Sequence, residues 1–590
     1  MWDLFCCVAL INKLLYNLYS YGGLMKKNII LVIMFIIIII VCLFSLNNNS
    51  KFYKDDDALY VHGISNSYDN IAWQKWQRIN NQSKEYYFFL PSSLDDSKIE
   101  VYNSYSDSIY INNIKIKSHQ VKTIKYDVNK SYKVKFKKQV YTLKILKSNA
   151  EVALYINNED ADGKGTDLLT YINSNKKLKS SADSVIVDSK GKVNNIYIKK
   201  IKGRGNSSFR RKKKSYNITF DRSISIDNMK SGKKYSLISN YIDNTLSRNR
   251  ILYDLSYDIG VPYSPDSRYT DLYVNNIYKG SYLITEKIDV GKNSLINDID
   301  DTNNKKDYSF LIELAFRVDD DEEYFETNYG QKVIIKYPDN VDDSVKKYVK
   351  NKFGLFYNKL LNNSSDLKNI ADIDSISKLY LINELGKNWD CGISSLYFVY
   401  KKDSKGNYKF YGSPVWDYDL SLGNTIGLKY EFERLKKDDY YDYKNWWCMY
   451  RTNDTVDSDS NYIMGLIAKN KIINEHAKKI WFNEFVNKID NSRKHNGRLL
   501  NFKDYYSLIK DSYLMNYNAG YVLSEDEWFT PHSLKKARYD YKNHKLIIDD
   551  NYTTYDTDFN GKYNYMIDWL VSRAAWISNE FDNNYDDIIS

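Results

Sequence analysis

The chain has 590 residues, 43% of them hydrophobic, which is too long for one small core and too apolar for a disordered chain, so two or three globular domains are expected. Its formal net charge of +10 is spread through mixed lysine and aspartate sequence, apart from Arg210 to Lys214, and this excludes the concentrated basic face of a nucleic-acid-binding protein. Of five cysteines, Cys6, Cys7 and Cys42 precede or lie within an apolar segment, and the two left in the body, Cys391 and Cys448, exclude a disulfide framework and a cysteine-based zinc site.

The amino-terminal segment, residues 1–50, contains the apolar run Ile29 to Leu46, long enough to cross a hydrocarbon core as one helix. Lys26 and Lys27 precede it, which places the amino end in the cytoplasm and the body outside. An uncleaved membrane anchor is the expectation, and a cleaved signal peptide, giving a secreted or spore-associated protein, is the alternative. "MKKNIILV" from Met25 has the layout of an exported protein's start, so Met25 is a second candidate for the first residue.

Past a polar tether, short alternating runs such as "YYFFLP", "IEVYNS", "SIYINNIKI", "YKVKF", "YTLKIL" and "VALYI" predict a small β-sandwich over residues 58–157. The Gly/Asp-rich stretch Asn157 to Asp167 marks a boundary, and residues 165–590 read as one mixed helix and strand domain. The fold class expected is therefore α+β.

"KGRGNSSFRRKKKSYNITF" (Lys202 to Phe220) opens that domain with a small-residue turn, Gly205, Asn206, Ser207 and Ser208, able to approach a phosphate through backbone amides. The strand after it places Lys214 with Tyr216, Ile218 and Phe220 on one face, and an ammonium on an apolar face needs an anionic partner, a carboxylate or a phosphate. Lys212 and Lys213 read as solvated neighbours. Next come an amphipathic helix over Thr245 to Gly260, carrying Arg248, a hairpin over Asp271 to Ile288 with its turn near Asn275 and Asn276, and a buried strand "FLIEL".

The helix Asp374 to Asn388, with Gly386 as its stop, delivers Asp390, and the hairpin "SLYFVY…YKFYGSPV" returns to deliver Asp417 and Asp419 in "SPVWDYDLSLGN". On an extended segment those two carboxylates point the same way, roughly 6.5 to 7 Å apart, and can share one ion or hold two. Magnesium takes one or two protein carboxylates plus phosphate oxygens, which suits this pair beside Asp390. A solvated turn is the plain alternative. "NWWCMY" (Asn445 to Tyr450) is either a carbohydrate-stacking surface or a packed aromatic core, and Tyr565 to Phe581 is an amphipathic closing helix.

Small residues before a lysine-bearing strand, then helix, hairpin, and a helix-Asp-hairpin-Asp unit is the order of parts in a protein-kinase-like phosphotransferase, whose site works by holding metal and phosphates in place. The Val-Ala-Ile-Lys, His-Arg-Asp and Asp-Phe-Gly motifs are absent, so it is not an ordinary protein kinase. "KGRGNSSF…KKSYNITF", "SRNRILYDL", "LYVNNIYKGSYLITEKI", "FLIEL", "INELGKNWD…LYFVY" and "SPVWDYDLSLGN", in order over Lys202 to Asn424, resemble the spore-coat CotH family of atypical kinases.

The resemblance implies a divergent protein-kinase-like domain that uses ATP with Mg2+ or Mn2+ to phosphorylate serines of protein substrates, here coat or envelope proteins. Residue by residue it implies Lys214 on the nucleotide phosphates and in catalysis, Asp390 as the catalytic aspartate and a member of the metal set, and Asp417 as a metal ligand with Asp419 as a second one. Glu286 matches the glutamate that ends the family's Gly-x-Tyr-x-x-x-Glu strand and either meets nucleotide or forms a structural ion pair; Arg248 either reaches phosphate or pairs with an aspartate. Where the family carries an Asn before the strand that follows the catalytic aspartate, Ser394 and Ser395 stand here. A catalytically inactive surface-binding protein on the same fold is the competing reading. A metal-dependent hydrolase ranks last, because the six histidines are scattered.

Overall fold

The computed structural model describes residues 56–64, 71–79, 83–128, 130–299, 307–328, 330–424, 442–448, 463–489, 497–524, 527–528 and 530–585. The apolar run Ile29 to Leu46 lies outside them. Among the described residues no helix is long and apolar enough to cross a membrane. The architecture is α+β, as expected.

The first strands form two sheets. One has the order β2 (Trp73–Lys75), β1 (Leu59–His62), β4 (Lys98–Asn103), β7 (Val121–Lys125). The other runs β3 (Glu85–Leu90), β9 (Gln139–Lys147), β8 (Ser131–Phe136), β5 (Ile109–Ile111), β6 (Ile114–Ile116), with β3 and β9 parallel. Alternation of buried and exposed residues in β4, β5 and β8 gives each strand one face to the core.

Next comes a closed barrel. Its strands are β10 (Val152–Asn157), β11 (Lys179–Asp188), β12 (Val193–Arg204), β13 (Ser215–Ile224), β14 (Gly232–Ile238), β15 (Ser267–Val274) and β16 (Ile277–Glu286). The order around it is β10-β11-β12-β13-β14-β16-β15, and β10 closes the ring parallel to β15. The "VALYI" strand, which in the sequence reads as the last of the first segment, is therefore a barrel strand. Its two faces are both apolar for a reason: Val152, Leu154 and Ile156 fill the barrel interior, while Ala153 and Tyr155 pack with Tyr87 and Phe89 of the preceding sheet.

Helix α1 (Leu168–Ser174), capped by Asp167, leads into β11, and α2 (Arg248–Asp258) links β14 to β15. The expected hairpin at Asn275 and Asn276 is present; both residues take positive φ, 48° and 69°, as a tight turn of this hand demands.

A five-stranded sheet follows, ordered β18 (Tyr324–Glu326), β19 (Lys332–Tyr337), β17 (Phe310–Ala315), β20 (Leu396–Lys402), β21 (Tyr408–Gly412). Helix α3 (Asp343–Leu361) packs beside it, and α4 (Ile373–Gly386) starts where the Asp372 carboxylate accepts the amide of Ser375. From Ser375 to Gly386 every α4 residue is buried. The expected stop is shifted by one: Lys387 takes the left-handed conformation (φ 44°), while a Cβ on Gly386 would meet Leu252 and Ser421 at 3.4 and 3.5 Å.

Helices α5 (Ile463–Lys469), α6 (Lys471–Ile480), α7 (Phe502–Asn518) and α8 (Phe559–Asn583) complete the body. The expected closing helix is α8, with Met566, Trp569, Leu570 and Trp576 inward. Its Arg573 is fully buried, pairs with Glu384 of α4 at 2.5 Å, and also donates to the carbonyls of Tyr443 and Asn445 at 2.7 and 2.8 Å.

Candidate functional site

One cleft of about 590 Å³ holds Asp390, Asp417 and Asp419 together with the turn Gly205 to Ser208 and the cations Arg204, Lys287 and Lys336. The turn after β12 and the segments that follow α4 and β21, far apart in sequence, meet there.

The carboxylates come from chain that leaves regular structure. Asp390 lies just past α4, where its carbonyl accepts the amides of Ile393 and Ser394, both at 3.0 Å. The expected strand end at Asp417 and Asp419 is not extended: β21 stops at Gly412, and Asp417 has φ 66°. The two carboxylates are thus set by a loop held in an uncommon backbone region, not by strand pleat.

Helix α2 holds that loop. Asn249 Oδ1 accepts the amide of Tyr418 at 2.7 Å, Tyr253 Oη accepts that of Asp417 at 3.4 Å, and Arg248 donates to the carbonyls of Ser421 and Leu422 at 2.8 and 3.3 Å. Asn424 donates to the carbonyl of Asp419 at 2.7 Å, and Trp389 donates to that of Leu420 at 3.0 Å. Ser395 donates its hydroxyl to Asp417 Oδ2 at 3.1 Å.

Burial, and then the negative charges of Asp417, Asp390 and Asp243, push the Asp419 carboxyl well above the ordinary carboxylate range. Among the described residues no His, Cys, Asp and Glu side chains form a preassembled group of three metal donors. A hard cation would take two carboxylates here and complete its shell with water and phosphate oxygens, the habit of Mg2+, and the negative charge crowded around Asp419 fits that donor set.

The same cleft is lined by the turn Gly205 to Ser208. Gly205 has φ 80°, and a Cβ on it would lie 2.0 Å from Ser208 Oγ; a Cβ on Gly203 would strike the Phe209 ring at 2.2 Å. The turn therefore needs glycine at both places. No described residue accepts from the amides of Asn206 and Ser207. Lys176 ties the turn to the far side, donating to Asn206 at 2.9 Å and to Asp319 at 2.7 Å.

Three expected site residues are placed elsewhere. Lys214 precedes β13 and does not follow its pleat; its ammonium folds back onto the carbonyls of Phe209 and Arg211, at 2.6 and 3.2 Å, and it is not among the residues lining the cleft. Tyr216, Ile218 and Phe220 do share the barrel interior. Lys213, expected in solvent, is the buried one: it donates to the carbonyls of Ser239 and Ser281 and lies 4.6 Å from the Tyr282 ring centre.

Arg248 is fully buried and pairs with Asp243, so it acts on the aspartate loop through backbone carbonyls and does not line the cleft. Glu286 accepts the amide of Asp266 at 3.0 Å and is likewise off the cleft lining; burial raises its carboxyl.

Three cations that the sequence reading passed over stand in these places. Arg204, between the two glycines, is 5.2 Å from the Trp416 ring centre and counters the charge of Asp419. Lys287, next to Glu286, is pushed down to about 8 by burial, with Lys234, Lys336 and Lys202 adding like-charge repulsion that Asp289, 3.8 Å away, does not offset. Lys336 pairs with Glu322 at 2.8 Å and Glu313 at 3.5 Å. Both Arg204 and Lys287 stand inside stretches the motif reading had already singled out, and the glycine-flanked arginine is the one signal that could have flagged them.

The aromatic run near Asn445 resolves to packing. Trp446 and Trp447 are 8% exposed; Trp446 sits against Trp576 and Phe581, and the Trp447 indole donates to the Asn388 carbonyl at 2.7 Å. Cys448 beside them and Tyr443 are buried as well.

The fold is mixed α+β, and the cleft is lined by side chains of both charges. A family profile described as "CotH kinase protein" matches residues 201–577, more than half the chain, and the chain belongs to that family. A comparison with curated proteins returns no match.

Proposed function

We propose that the chain is an ATP- and divalent-cation-dependent protein kinase that phosphorylates serine residues of other proteins, as its family membership suggests. The observation that carries this reading is the meeting, in one cleft, of Asp390, Asp417 and Asp419 with a glycine turn and the cations Arg204, Lys287 and Lys336. That is an arrangement for positioning a polyphosphate and its cation.

In this reading Asp417 and Asp419 hold Mg2+ or Mn2+, which when bound neutralises phosphate charge. The amides of Asn206 and Ser207 face the phosphates, with Arg204 and Lys287 as their cations. Asp390 accepts the proton of the attacking seryl hydroxyl, and Ser395 orients Asp417 through its hydrogen bond. Lys214, Arg248 and Glu286 support the site from outside: Lys214 closes the Phe209 to Arg211 turn, Arg248 sets the aspartate loop, and Glu286 fixes the barrel edge next to Lys287.

The same proposal extends to the setting. The two amino-terminal sheets form a sandwich module, and Ile29 to Leu46 anchors the body outside the cytoplasmic membrane, where coat or envelope proteins are the substrates. An inactive surface-binding protein is the competing account, and with Trp446 and Trp447 buried no exposed aromatic platform among the described residues favours it at that place.

Incubating the protein with labelled ATP and Mg2+ or Mn2+ tests the site, with serine-rich protein or autophosphorylation as readout. Label incorporation that disappears in Asp417→Ala supports it; incorporation that survives the substitution overturns it. Surface proteolysis of intact cells tests the topology, for which full protection of the body is the contrary result.

A further inference from the structure

The body's two cysteines, 57 positions apart, meet in the core: Cys391 Sγ and Cys448 Sγ are 3.4 Å apart, and both side chains are buried. Neither is carried by a slack loop. Cys391 follows Asp390 directly, and its amide donates to the carbonyl of Asn388 at 3.1 Å, in the turn that ends α4. Cys448 is held by Glu384 of the same helix, whose carboxylate accepts the amides of Trp447 and Cys448 at 2.6 and 2.8 Å while pairing with Arg573. A fully buried ion pair with this many backbone partners is a rigid support, and leaving either member alone would be costly. The two sulfurs are thus fixed next to each other from both sides, by the one helix whose end also positions Asp390.

Two readings of such a pair fail on the surroundings. A metal thiolate site would need further donors, and no group of three His, Cys, Asp or Glu side chains forms one among the described residues. A nucleophilic cysteine would need a stabilised thiolate, whereas burial, Cys391 and Glu384 push the Cys448 thiol well above its usual range. In the reduced state the pair makes an S–H···S contact, and the same proximity puts the two sulfurs within reach of covalent pairing, which would bring them to about 2.05 Å.

We propose that Cys391 and Cys448 form a disulfide when the chain folds in an oxidising compartment, tying the Asp390 turn to the segment 443–448. The step is thiol–disulfide exchange with a disulfide oxidant: two S–H bonds are lost, one S–S bond forms, and two electrons with two protons reduce the oxidant to two thiols. Because the pair is buried in the folded chain, the bond forms while the chain is still opening and closing and persists afterwards. The staple closes a loop of 57 positions, so its main effect is on the unfolded chain, with a secondary one on the order of the turn that carries Asp390. This inference is independent of any catalytic activity.

The test is a peptide map without reduction of the full chain, purified without reductant and, in parallel, refolded from the reduced state in a glutathione redox buffer. The expected result is a linked Cys391–Cys448 peptide, and a melting temperature that falls by roughly 5 °C or more on reduction. Cys391→Ser and Cys448→Ser should each melt at the reduced wild-type temperature and ignore reductant. Recovery of both cysteines as alkylated thiols, as glutathione adducts, or linked to Cys6, Cys7 or Cys42 overturns the proposal, and so does a linked peptide whose reduction leaves the melting temperature unchanged.

Discussion

The acidic wall of the cleft is assembled from one short stretch of chain: Asp390, Asp417 and Asp419 all leave the α4 and β20–β21 unit, and α2 braces them through backbone contacts. The basic wall is assembled from distant strands, with Arg204 at the end of β12, Lys287 after β16 and Lys336 on β19. Burial shifts groups on both: it raises the Asp419 carboxyl well above its ordinary range, with Asp417, Asp390 and Asp243 adding to it, and lowers the Lys287 ammonium to about 8, whereas Lys336 is offset by Glu313 and Glu322. In the proposed reading, a nucleotide with its cation would answer both charges at once.

The largest effect expected from breaking this pairing is on turnover. Asp390→Asn should lower labelled-phosphate transfer by roughly 10² to 10³-fold while leaving Mn2+ binding within twofold, because it removes a proton acceptor and no metal ligand. Equal loss of Mn2+ binding would move Asp390 into the metal set.

A step down in size are the cations. Arg204→Met or Lys287→Met should weaken nucleotide binding by about tenfold, measured by fluorescence titration, against less than twofold for Lys214→Met, which loses only turn contacts. The reverse ranking would restore Lys214 as the phosphate lysine. Smaller again is the brace: Asn249→Ala should weaken Mn2+ binding a few-fold without changing the affinity for nucleotide alone, a split that a general loss of packing would not produce.

The smallest effect is a pH profile behind the basic wall. Burial lowers Lys213 to about 7, so between there and the ordinary lysine range the unfolded chain binds more protons, and stability rises with pH. Burial raises Asp271 to about 7, so between the ordinary aspartate range and 7 the folded chain binds more protons, and stability falls with pH. Denaturant melts should show Lys213→Met flattening the alkaline limb and Asp271→Asn the acid limb; unchanged profiles would place both groups outside the titration.

The acidic side was legible because its information is local. The caps, helix period and hairpin spacing that produce α4, β20 and β21 are written in neighbouring residues, and an aspartate just past an element's end stays there whatever the rest of the chain does. The basic side was not. Lys214 was assigned by extending the pleat of Tyr216, Ile218 and Phe220 one residue beyond the start of β13, where the Ser208 to Arg210 turn had already changed the direction of the chain. Arg248 and Glu286 entered as site candidates through the family resemblance, with a structural pairing as the alternative for each; only the folded contacts showed that the partners are Asp243 and the Asp266 amide. The pair Cys391 and Cys448 had no signal at all, since nothing in a spacing of 57 says that two thiols meet.

The sequence by itself determined the order of elements, the family signature over residues 201–577 and the three aspartates, because each depends on interactions within a few residues or on motifs kept in order. The tertiary structure decided the rest: that β10 closes the barrel, that Asp417 sits in a left-handed turn and not on a strand, and which cations face the cleft. Those outcomes depend on barrel closure and on the exact residue at which a strand begins. A shift of one position there moves a side chain from one face to the other, and only contacts made far along the chain fix it.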